Sequence, residues 1–101
     1  MDKLLGLLGL AFRGRRIDLG EQPVLRAIQE RRAVMILIAS DAGENTSHRI
    51  SLKAANVGIP VTRCGYDKNV LGSAFGRTSC AVAAICDAKL AAEITSRLTD
   101  Q

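Results

Sequence analysis

With 101 residues the chain has room for one hydrophobic core and one domain. Its composition, 48% hydrophobic and 24% charged, is that of a folded globular protein and excludes a disordered one. Fourteen basic residues against ten acidic ones give a net charge of +4, which favours a polyanionic partner, while 3% aromatics with no Trp excludes a base-stacking platform as the reading surface.

The opening MDKLLGLLGLAF repeats Leu4, Leu7, Leu8 and Ala11 at intervals of three and four, which predicts a helix packed on a core. Its apolar stretch is too short to cross a bilayer. It runs into the basic FRGRR and not into a small-residue cleavage site, so neither a membrane segment nor an export signal is expected. Arg16-Ile17-Asp18 reads as a short strand leading to Gly20. A helix then runs from about Glu21 to Arg32, with Val24, Leu25 and Ile28 inward and Arg26 and Glu30 one turn apart on another side. Pro23 fits its first turn, where amides lack intrahelical acceptors. Val34 to Ala39 is an unbroken apolar run, which predicts a strand covered on both faces.

Ser40 to Glu44 makes a polar loop, and Asn45 or Thr46 is expected to cap the next helix. That helix presents Ile50, Ala54 and Val57 and stops at Gly58, with Pro60 just beyond. Ile59 to Arg63 is another short strand. Asp67 caps a brief helix through Val70, Leu71 and Ala74, ending near Gly76. Cys80 to Cys86, CAVAAIC, predicts a buried strand whose two terminal cysteines point to one side by parity. Asp87 caps a last helix marked by Leu90, Ile94 and Leu98. Regular alternation of helices and strands predicts an α/β/α sandwich, with residues 1–101 forming a single domain.

Little in this chain suggests catalysis. His48 is the only histidine, and Asp41 and Glu44 share a polar loop where solvation is the plain reading. Cys64, Cys80 and Cys86 are an odd count without a CxxC pair, which suits buried thiols in a reducing cytoplasm. No metal, no cofactor, no small-molecule substrate and no enzymatic activity are expected. Gly72-Ser73-Ala74-Phe75-Gly76 lacks the lysine and hydroxyl of a nucleotide loop. Its reading is steric: Gly72 for close packing, Gly76 for a left-handed turn.

The basic residues cluster, with Arg13, Arg15 and Arg16 in one group, Arg26, Arg31 and Arg32 in a second, and Arg49 and Lys53 one helical turn apart. At the mouth of the second helix stands GEQPVLR. A helix start offers free amides and a partial positive charge to an anion. Gln22 and Arg26 share one face, where the amide can donate or accept and the guanidinium can fork onto guanine O6 and N7. The same residues are also those of an ordinary helix start with a solvated arginine, and this turn alone favours that plainer reading.

Three stretches taken together tip the balance: GEQPVLRAIQERRAVMILIASDA, NVGIPVTRCGYDKNVLGSAFGR and SCAVAAICD. In this order and spacing they resemble the kink-turn RNA-binding ribosomal protein family, that of the archaeal "L-seven-Ae" and eukaryotic "L-thirty-e" proteins. The opening LLGLLGLAFRGRRIDLGE resembles its short bacterial branch. The resemblance covers nearly the whole chain and implies a three-layer α/β/α sandwich around a small mixed sheet of the L-thirty-e type. In that family a motif like G-x-N-E-x-x-K opens the second helix and reads the tandem sheared G·A pairs of a kink-turn. The resemblance places Gly20 at the glycine, with Glu21 after it, Gln22 at the asparagine, Pro23 at the glutamate and Arg26 at the lysine. Gln22 keeps the amide with one more methylene. Pro23 departs from the motif, because it has no acceptor for guanine. The family's second contact, a loop holding an extruded nucleotide, corresponds to Arg77-Thr78-Ser79-Cys80, more polar here than is usual. The resemblance implies a further backbone contact at Lys68, in the segment resembling SKxxLG.

The expectation is therefore a non-enzymatic, ribosome-associated or regulatory RNA-binding protein of the cytoplasm, with no membrane partner. It would recognise a bent internal loop in structured RNA, ribosomal RNA included. The alternative is a protein-interaction module that keeps the scaffold but has lost the RNA reader, an outcome that Pro23 and the polar loop would favour.

Overall fold

A computed structural model describes residues 2–99. Among the described residues nine elements alternate: α1 (Lys3–Arg13), β1 (Ile17–Leu19), α2 (Glu21–Gln29), β2 (Met35–Ile38), α3 (Glu44–Asn56), β3 (Val61–Arg63), α4 (Lys68–Ser73), β4 (Val82–Ile85) and α5 (Ala88–Thr99). The sheet order is β1-β4-β2-β3. It is mixed: β2 and β3 run parallel, while β4 is antiparallel to both β1 and β2.

Alternation of side chains along the two central strands divides the core. Met35, Leu37, Ala83 and Ile85 face one side and pack with Leu4, Leu8 and Ala11 of α1, Leu71 of α4, and Leu90 and Ile94 of α5. Ile36, Ile38, Val82 and Ala84 face the other side and pack with Val24, Ala27 and Ile28 of α2 and with Ile50 and Ala54 of α3. All four residues of β2 and of β4 are buried, as an unbroken apolar run in a covered sheet requires. The result is the expected three-layer α/β/α sandwich. No helix among the described residues is long and apolar enough to cross a membrane.

Aspartates start three of the helices. Asp2 accepts from Leu4 N at 2.8 Å, Asp67 from Val70 N at 2.8 Å, and Asp87 from Leu90 N at 2.9 Å. Each such cap contributes about 1 kcal/mol. The capping amide of Leu90 is the main reason the Asp87 carboxyl is held below its usual range, with Arg16 assisting.

Three expectations are corrected. The second helix stops at Gln29 and not near Arg32, because Arg31 turns to φ 62°. Arg31 N then donates to Ile28 O and Arg32 N to Ala27 O, the paired bonds of a Schellman ending. Neither Asn45 nor Thr46 caps α3; its cap is Gly43, which makes no side-chain bond, and both lie inside the first turn. Cys80 and Cys86 do not share a face. Cys80 precedes the strand, so parity does not govern it, and it packs in the cluster of α1, α4 and α5, whereas Cys86 packs towards α2 and α3.

Ser47 is the buried polar exception, 9% exposed on the inner face of α3, and its hydroxyl has no hydrogen-bond partner among the described residues. An unsatisfied buried hydroxyl costs about 1–3 kcal/mol. Ser47→Ala is therefore expected to raise the midpoint of chemical unfolding, by roughly 1 kcal/mol of stability. A midpoint that falls would show that the hydroxyl is satisfied in solution.

Candidate nucleic-acid interface

The register of β1 on β4 decides what lies beside the mouth of α2. Leu19 pairs with Ala83, so the residue leaving β1, Gly20, stands opposite the start of β4. Its amide donates to Val82 O at 3.1 Å. Gly20 has φ +92° and ψ 161°, a backbone state that a side chain would strain, and this turns the chain at once into α2. The loop 77–80 enters β4 at this point. Burial raises the pKa of the Cys80 thiol beside this turn.

The third component is the start of α4. Lys68 O accepts from Cys80 N at 2.9 Å, while Lys68 N donates to Asp41 Oδ1 at 2.8 Å. Gly72, one turn further along, packs directly on the backbone of Ser79. Thus the mouth of α2, the 77–80 loop and the first residue of α4 form one surface joined by backbone hydrogen bonds. Asp41, read from the sequence as a solvated loop carboxylate, instead ties this surface to the loop after β2.

The side chains divide by availability. Gln22 and Arg26 are exposed on α2 and, like Lys68, make no side-chain hydrogen bond or ion pair among the described residues. Thr78 and Ser79 are exposed, and Pro23 is half-buried. The Glu21 and Gln22 amides have no acceptor among the described residues, and Pro23 has no amide to offer. Arg77 leans away from α2: its guanidinium lies 5.8 Å from the centre of the Phe12 ring, which in turn meets Phe75 edge-on. Glu21 is committed elsewhere, since its carboxylate pairs with Arg49 and accepts a hydrogen bond from the Thr46 hydroxyl at 3.1 Å.

Part of the charge that the sequence displays in clusters is neutralised in the fold. Arg32 pairs with Asp18 at 2.7 Å and with Glu30 at 2.8 Å, and Arg16 with Asp87 at 3.6 Å. These contacts raise the pKa of Arg32 further. A groove of about 730 Å³ between α1 and α4, lined by Leu5, Leu10, Phe12 and Phe75, adjoins the loop through Gly76 but is separate from the mouth of α2.

The model for the ribosomal protein L7Ae/L30e/S12e/Gadd45 family matches residues 2–95. The chain belongs to that family. Among its relatives, an "RNA-binding protein YlxQ" of Bacillus subtilis (strain 168) is 33% identical over 92 residues, covering 91% of each chain. A second protein of that name, from Enterococcus faecium, is 31% identical over 59 residues, 58% of this chain and 57% of its own. Of solved structures, a protein of unknown function from Bacillus halodurans superposes with a TM-score of 0.89 at 33% identity, covering both chains completely. A 15.5 kD RNA-binding protein of Giardia lamblia has a TM-score of 0.75 at 22% identity, covering 99% of this chain and 91% of its own, a likeness of fold.

The Glu21–Arg49–Thr46 contact and the Asp41 link to α4 escaped the sequence reading. Glu21 and Arg49 stand 28 positions apart in the sequence, and no periodicity relates them. The signal that existed was weaker: Thr46 and Arg49 are three apart on one helix, hence on one face.

Proposed function

We propose that residues 1–101 act as a single non-enzymatic RNA-binding domain in the cytoplasm, recognising a kink-turn-like bent internal loop in ribosomal or regulatory RNA. The observation that carries this reading is the Gly20 N–H bond to Val82 O, which sets the mouth of α2 beside the loop preceding β4. A strand crossing that junction meets the free amides of Glu21 and Gln22, the side chains of Gln22, Arg26 and Lys68, and the hydroxyls of Thr78 and Ser79. Nearly all of these groups donate, and the carboxylate of Glu21 is paired. Donors suit phosphate oxygens, 2′-hydroxyls and the O6 and N7 edge of guanine. Family membership and the RNA-binding names of the two YlxQ proteins support the same reading.

In this reading Gln22 and Arg26 meet base edges exposed by the bend. The loop 77–80 covers an extruded nucleotide, and Lys68 lies against the backbone. Glu21 serves from behind, and Arg77 reaches a phosphate only from its seat on Phe12. Arg26→Ala is expected to weaken binding of a generic kink-turn about tenfold, in the lower part of the roughly 1–3 kcal/mol that one bidentate contact supplies. A gel shift at low salt measures it. Pro23 favours the rival reading, a protein-interaction module, because it removes the acceptor that the family uses. No shift by the natural chain with any kink-turn would hand the case to that rival.

A further inference from the structure

Glu21 poses a problem for the reading above. It is the first residue of α2, immediately before Gln22, so a free carboxylate there would stand among approaching phosphates. The fold deals with it specifically. Oε1 accepts from the Thr46 hydroxyl, and Oε2, closed off from solvent, pairs with Nη1 of Arg49. Both partners come from the neighbouring helix α3, one turn apart, and the side chain of Glu21 is left 24% exposed against 53% for Arg49.

We propose that Arg49 is a positioning residue of the RNA interface, acting through Glu21: with Thr46 it holds the carboxylate against α3, neutralised and turned from the strand that approaches Gln22. The inference rests on the mouth of α2 facing RNA. The pair contributes little to stability, since half-exposed ion pairs are screened and entropically costly. Its consequence lies in the field at the helix mouth. With Arg49 in place, the positive end of α2 and Arg26 act on phosphate unopposed. Without Arg49, a full negative charge stands about one residue from the donors and works against the same phosphates.

The test is a charge-rescue cycle with a fluorescently labelled RNA duplex containing one kink-turn, titrated at low salt with the natural chain, Arg49→Ala, Glu21→Gln and the double variant. Circular dichroism of all four confirms that each folds. Arg49→Ala is expected to bind roughly five- to tenfold more weakly than the natural chain, whereas the same Arg49→Ala substitution made on top of Glu21→Gln is expected to change binding by less than about twofold. That dependence on Glu21 is the decisive result. An equal loss from Arg49→Ala in both backgrounds overturns the proposal, since Arg49 would then be touching RNA itself. Unchanged binding by Arg49→Ala also overturns it. In both cases binding by the natural chain leaves the RNA reading standing, whereas its failure to bind sinks both.

Discussion

Gly72→Ala is expected to destabilise the protein by about 1–3 kcal/mol and to weaken RNA binding about tenfold in the fraction that remains folded. A methyl group at this position would lie 2.8 Å from both Cα and N of Ser79 and 2.9 Å from its carbonyl carbon. Those are backbone atoms, so no rotamer change relieves the contact. The loop has little freedom to retreat: Cys80 N is bonded to Lys68 O, and Arg77 N to Gly72 O. The clash therefore moves Ser79 and its neighbours away from α4, and with them the part of the proposed interface that covers an extruded nucleotide. Urea unfolding gives the first quantity, and titration of folded protein with a kink-turn RNA gives the second. Gly6→Ala is the control. Its added methyl meets nothing within 4 Å, and alanine is the better helix former, so stability should hold or rise by up to about 1 kcal/mol. Equal unfolding midpoints for Gly72→Ala and the natural chain would show that the loop moves freely over α4.

What was legible in the sequence follows from how local each cause is. The apolar run at Val34 to Ala39 and the cysteine-bounded run at Cys80 to Cys86 announced two strands covered on both faces, since no polar residue interrupts either. Asp67 and Asp87 cap as expected, because the bond they make spans three residues. The end of α2 was illegible for a physical reason. Arginine is a good helix former, and nothing in ERRA announces that Arg31 will take a left-handed conformation costing about 1–2 kcal/mol. The two Schellman bonds and the docking of Arg32 on Asp18 offset that cost, and they depend on where β1 lies. The interface divides in the same manner. The resemblance pointed to the mouth of α2 and the loop before β4, and their adjacency is set by the β1–β4 register. By contrast, Glu21, Arg49 and Asp41 depend on contacts between helices and loops remote in sequence. Charge clusters mislead most easily, because a run of arginines gives no sign of which members Asp18, Glu30 and Asp87 will neutralise.

Pro23→Glu is expected to strengthen binding to a kink-turn about tenfold while weakening binding to plain duplex RNA, so that selectivity rises more than affinity. Proline at the third helical position is tolerated by the fold because the first turn has spare amides, and its Cδ sits 3.8 Å from where a Gly20 methyl would be, an ordinary contact. What proline withholds is chemical. The mouth of α2 has donors in Gln22, Arg26 and the free amides, but the imino and amino groups of guanine need an acceptor, and the carboxylate beside it is held by Arg49. A glutamate at this position supplies that acceptor, worth about 1–3 kcal/mol for a well-placed bidentate contact. The same carboxylate repels phosphate wherever no guanine edge is presented, which lowers the sequence-blind part of binding. The two effects have opposite signs, so the measurement is a pair of titrations: one kink-turn RNA, and the same RNA with its G·A pairs replaced by Watson–Crick pairs. If Pro23→Glu weakens both equally, the helix mouth meets only backbone, and guanine edges play no part in what this protein reads.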